Sequence, residues 1–152
     1  MQELVVKIGE YKIAKGEDYV LITLGLGSCV CLAMYDATNK IGGLAHILLP
    51  NSNGKEESAK YADQAVKLMV RDMKKLGAKN IVAKIAGGSE ILPILDMRIG
   101  ERNVKVVKEH LKMYNIKLVA EDVGGSIGRS VFFYVKDGRM LIKYSRGGVK
   151  WI

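Results

Sequence analysis

The chain has 152 residues, 49% of them hydrophobic, with 24 basic against 16 acidic side chains and a formal net charge of +8. That length and apolar content suit one ordinary domain, residues 1–152, that buries its core without disulfide or metal staples. A membrane span is excluded because the longest uncharged stretch, Tyr19 to Tyr35, falls short of the roughly 20 apolar residues required and is interrupted by Gly25 and Gly27.

Residues 4–8 and 20–24 are β-branched and apolar and read as strands. Glu17 and Asp18 precede the second of them, where a secretory leader carries positive charge, so the expected location is the cytoplasm. Residues 29–35 and 41–49 are two further apolar runs, separated by Asp36-Ala37-Thr38-Asn39-Lys40, and read as a hairpin. Ala62, Ala65, Val66, Met69, Val70, Met73 and Leu76 recur at helical spacing, with Gly77 placed as a helix C-terminal glycine. Residues 80–86 read as a strand, 101–114 as a second helix, and 116–121 as another strand. Residues 130–135 and 140–144 close the chain as a hairpin over Lys136-Asp137-Gly138-Arg139, where Asp-Gly suits a type I′ turn. Strands with two main helices make a mixed α/β domain.

Excess positive charge favours acidic partners. Lys67, Lys74, Lys75, Lys105, Lys108 and Lys112, however, fall on the solvated faces of the two helices. The tail from Lys143 to Ile152, with Arg146, Lys150 and the one Trp, is a local basic cluster too sparse to argue nucleic-acid binding.

Cys29 and Cys31 are too close in an extended segment to form a disulfide and are expected as free thiols in a reducing compartment. Cys29 directly follows the glycine turn Gly25-Leu26-Gly27-Ser28. Such a turn exposes a thiol and leaves amide N–H groups of Gly27 and Ser28 to receive a developing oxyanion. The competing reading is an ordinary buried cysteine, which is how Cys31, deeper in the run, is read. His46 lies within an apolar strand that the hairpin returns beside Cys29, where it is either a base for the thiol or a satisfied core histidine. His110, on the lysine-rich helix, is expected to face solvent. A zinc site on Cys29, Cys31 and His46 lacks a fourth ligand, and Gly25-Leu26-Gly27 lacks the rest of a nucleotide-loop pattern.

Several segments together resemble the bacterial and archaeal CheD family: Thr23-Leu24-Gly25-Leu26-Gly27-Ser28-Cys29-Val30, Gly43-Leu44-Ala45-His46-Ile47-Leu48-Leu49-Pro50, Tyr61-Ala62-Asp63, Lys84-Ile85-Ala86-Gly87-Gly88, Ile99-Gly100-Glu101-Arg102-Asn103-Val104, Ala120-Glu121-Asp122-Val123-Gly124-Gly125 and Gly128-Arg129-Ser130. They span nearly the whole chain in the family's order. The resemblance implies a chemoreceptor glutamine deamidase, with Cys29 as nucleophile, His46 as base and Thr23 orienting the histidine. The loops Gly87-Gly88-Ser89 and Gly124-Gly125-Ser126 either border the site or are structural turns, and Val123 stands where the family is expected to have threonine. The implied fold is a β-sandwich with outer helices, similar to the catalytic domains of deamidating toxins. No cofactor or metal is implied. The implied partners are helical segments of chemoreceptor cytoplasmic domains and a CheC-type phosphatase that competes for the same surface. A non-enzymatic regulator of that phosphatase is the alternative.

Overall fold

The computed structural model describes residues 1–91 and 97–152, and among these it has ten strands and two helices in two sheets. In the first sheet β1 (Gln2–Val5), β3 (Tyr19–Leu26), β8 (Arg129–Tyr134), β9 (Met140–Tyr144) and β10 (Val149–Trp151) lie side by side. The second has the order β2 (Tyr11–Lys15), β5 (Ile41–Ile47), β4 (Val30–Asp36), β6 (Val82–Gly87) and β7 (Lys117–Val123). Pairing is antiparallel except between β1 and β3 and between β6 and β7.

Period-two alternation along β4 shows how the layers form. Cys31 and Ala33 face the first sheet and pack with Leu21, Val131 and Phe133. Val30, Leu32 and Met34 face the other way, against Val66 and Met69 of α1 (Ala62–Lys75) and Val107 and Leu111 of α2 (Ile99–Met113). Both faces of β4 are covered, which is why its sequence is a continuous apolar run and not an alternating one. The result is three layers: first sheet, second sheet, helices.

The hairpin of β4 and β5 and the periodic helix α1 lie where the sequence puts them, and Gly77 follows α1 at φ +100°. Other expectations need correction. β1 starts and ends earlier than residues 4–8, and β2 and β10 were not anticipated. The β8–β9 connection is not a type I′ turn, because Gly138 takes a positive φ (+76°) and Asp137 does not. The six helix lysines are exposed. His110 is half-buried, with Nδ1 3.0 Å from Val106 O of its own helix. Among the described residues no helix is long and apolar enough to cross a membrane.

Candidate active site

His46 lies on β5 with its ring in the space between the sheets, and it is 1% exposed. Its Nδ1 is 2.7 Å from Thr23 Oγ1 of β3, and Thr23 Oγ1 is 2.6 Å from Val6 O. A carbonyl only accepts, so the Thr23 hydroxyl donates its single proton to Val6 O. Thr23 Oγ1 is left as an acceptor, and the proton between Thr23 and His46 therefore sits on Nδ1. That fixes the tautomer: Nε2 carries the lone pair. Nε2 is buried and has no hydrogen-bond partner among the described residues. Burial holds the His46 pKa below the usual histidine range, so the ring is a neutral base.

Cys29 sits in the loop between β3 and β4, one residue before β4 begins, and is 7% exposed. The cross-strand partner of His46 is Cys31, and Cys29, two residues before it, packs in the same buried cluster as Cys31, on the side of the first sheet. The Cys29 thiol and Nε2 are not hydrogen-bonded to each other. Burial pushes the Cys29 thiol pKa up, offset in part by its own backbone amide. It pushes Cys31, fully enclosed, up as well. Cys29 and His46 are thus a neutral thiol and a neutral imidazole, close but unengaged. Catalytic hydrogen bonds of this kind commonly tighten only with substrate bound.

The loop that carries Cys29 is held by the segment that follows β6. Gly88 N donates to Cys29 O at 2.8 Å and Ser89 N to Gly27 O at 2.9 Å. Gly87 has φ +106°, and a Cβ there would stand 2.4 Å from Cys29 O, so both the backbone angle and the space demand glycine. Gly87 and Gly88 therefore fix the Cys29 backbone. In the turn itself Gly25 has the positive φ (+69°), whereas Gly27 serves space: a Cβ would meet Ile91 Cδ1 at 3.2 Å. Gly27 and Ser28 line a cleft of about 350 Å³ with Ser89, Glu90, Met97 and Ile99. Ser126 is exposed on the Gly124-Gly125 loop.

Two features went unassigned at the sequence level. Asn103 of α2, fully buried, donates through Nδ2 to Ser28 O and to Leu48 O, each at 3.1 Å, and so ties the Cys29 loop to the end of the His46 strand. Arg129 of β8, also buried, donates to Ser89 Oγ at 2.7 Å and lies 3.5 Å from Asp122 Oδ2. Ser89 Oγ in turn donates to Ile127 O at 2.7 Å. A lone asparagine at a helical spacing that fits a core position was the available signal for the first. The second had none, since Arg129 and Ser89 meet only through tertiary folding. Among the described residues no three His, Cys, Asp or Glu side chains gather as a metal site.

A family model described as CheD chemotactic sensory transduction matches residues 48–144. Thr23, Cys29 and His46 precede that stretch. The chain is 53% identical over 156 residues to the probable chemoreceptor glutamine deamidase CheD of Archaeoglobus fulgidus, covering 99% of this chain and 98% of that protein. It is 48% identical over 147 residues to the chemoreceptor glutamine deamidase CheD of Thermotoga maritima, covering 95% and 93%. The probable chemoreceptor glutamine deamidase CheD of Thermococcus kodakarensis is 41% identical over 156 residues, covering 97% and 96%.

Proposed function

The chain belongs to the CheD family, and from that membership we propose that it deamidates glutamine side chains of chemoreceptor cytoplasmic domains in the cytoplasm, the 152 residues acting as one domain. The observation that carries the reading is the Thr23–His46 pair, which presents a neutral, unpartnered Nε2 beside a cysteine on a glycine-shaped loop.

In this mechanism the carboxamide of a receptor glutamine enters between Cys29 and His46. Nε2 takes the thiol proton as Sγ forms a bond to the carboxamide carbon, and the carbonyl oxygen becomes an oxyanion that the amides of Gly27 and Ser28 receive. Gly87 and Gly88 keep the loop in place, and Ser126 stands at the rim. The Nε2 proton then passes to the amide nitrogen, the C–N bond breaks, and ammonia leaves a thioester on Cys29. His46 next takes a proton from water, whose oxygen attacks the thioester. The C–S bond breaks, the thiol regains its proton, and glutamate is released. No cofactor takes part. The same mouth is proposed to take a CheC-type phosphatase in competition with receptor. The stacked sheets support a likeness to the catalytic domains of deamidating toxins.

Incubation with a receptor cytoplasmic fragment should raise its intact mass by about 1 Da per glutamine converted. Cys29→Ala should abolish that gain and Cys31→Ala should largely keep it. Equal loss in both would refute Cys29 as the nucleophile.

A further inference from the structure

Both helices pack on the second sheet, so the outward face of the first sheet carries no helix. The inward residues of that sheet are Leu21, Val131, Phe133 and Ile142. Alternation therefore turns Leu24, Phe132, Tyr134 and Lys143 outward. Much of this surface is apolar and open: Leu24 is 57% exposed, Val149 60% and Trp151 47%. Its cations lie flat on its rings, with Lys143 Nζ 4.6 Å from the Phe132 centroid and the Arg139 guanidinium 4.8 Å from that of Trp151. After Asp137 the chain has four basic residues, Arg139, Lys143, Arg146 and Lys150, and no Asp or Glu.

This face runs to a recess at the proposed base. Leu24 lines the recess that opens on His46, beside Val5, Lys7 and Ile8. Leu24 also lines a second recess, of about 270 Å³, with Ser130, Phe132 and Lys143. A protein that offers a glutamine at His46 must lay its neighbouring residues on whatever surrounds that opening.

We propose that the outward face of the first sheet, from Leu24 through Phe132 and Lys143 to Trp151, is the docking surface for an acidic, partly apolar flank of the protein substrate. The inference rests on the deamidase reading above. Contiguous apolar surface with a polar rim marks interaction sites; Arg139 is ion-paired with Asp137 at 2.9 Å, so the charge that selects an acidic partner is carried by Lys143 and by Arg146 of the β9–β10 turn. So few unpaired cations on a largely apolar face fit a protein flank better than the regular phosphates of a nucleic acid.

The test uses the full chain and a receptor cytoplasmic fragment as probe. Binding is measured by calorimetry in the Cys29→Ala background, and KM and kcat by intact mass in the active protein. Lys143→Glu with Trp151→Ala should weaken Kd and raise KM about tenfold while kcat stays within about twofold. Lys143→Glu alone, at an exposed position, should give part of that loss and a shallower salt dependence of Kd, and it serves if the double variant melts early. Lys105→Glu on the solvated face of α2 should leave both constants unchanged. Unaltered Kd and KM in the face variants, an equal loss in Lys105→Glu, or no binding by the parent chain would each overturn the proposal. A fragment deamidated normally by the face variants ends the docking surface and leaves the deamidase intact. A fragment bound through the face but never gaining mass does the reverse.

Discussion

The hydroxyl of Thr23 does two jobs with one proton. By donating to Val6 O it becomes an acceptor toward His46, and that alone decides which imidazole nitrogen can act as base. Thr23→Val keeps the shape and removes the acceptor, freeing the tautomer to invert, so kcat should fall at least about tenfold with KM little changed. Thr23→Ser restores the oxygen and should recover most of the rate, which a purely packing role for the methyl group would not allow. An unchanged kcat in Thr23→Val would end this assignment. With His46 as the proposed base, the buried, neutral imidazole also sets the acid limb of the reaction. Its pKa lies below the ordinary value of about 6.5, so kcat/KM should hold as pH drops past that point and decline only below it. A decline centred above 6.5 would mean that burial does not hold the imidazole neutral.

Helix α2 serves the site without reaching the reacting atoms. Its Asn103 amide bridges Ser28 O and Leu48 O, fixing the spacing between the loop that carries Cys29 and the strand that carries His46. Asn103→Leu leaves two carbonyls without donors, which costs about 1–3 kcal/mol of stability. Because the Cys29 loop and the His46 strand, proposed to carry the reaction, can then drift apart, kcat should drop about tenfold at temperatures well below melting, with KM nearly constant. A lowered melting point with normal kcat would reduce Asn103 to a packing residue. The elements that were readable in the sequence are those whose pattern is local: the β4–β5 hairpin with its polar turn, and α1 with its unbroken apolar stripe. β2 and β10 were missed because Tyr11–Lys15 and Val149–Trp151 are short edge strands with mixed polarity, set by pairing with β5 and β9. The same divide runs through the site. Cys29 and His46 stand out as reactive types in apolar surroundings, whereas Thr23 entered through the family likeness. The buried links of Asn103 and Arg129 exist only once α2 and β8 are packed against the loops.

At the scale of the whole molecule, two buried titratable groups make stability depend on pH in separate windows. Asp36, at the end of β4, is almost fully buried. Burial pushes its pKa up, but hydrogen bonds from Lys79 N, the Asn39 side chain, Asn39 N and Asn80 N outweigh that and lower it to about 2. The carboxylate thereby ties the β4–β5 turn to the chain that leads from α1 into β6. Since its folded pKa lies below the unfolded 3.8, its contribution is complete above that value and is lost as pH falls towards 2. At most about 2 kcal/mol depends on it. The folded pKa of His46 is also depressed, from an ordinary 6.5, so the unfolded chain takes up that proton first and stability begins to fall as pH drops through 6.5. Urea midpoints measured from pH 8 to pH 2 should therefore decline in two steps. Asp36→Asn should weaken the protein at neutral pH, because an amide oxygen cannot replace a carboxylate among four N–H donors, and should flatten the lower step alone. His46→Gln should flatten the upper step alone. If both variants keep the parent's two steps, the acid sensitivity comes from the surface carboxylates and not from these two sites between the layers.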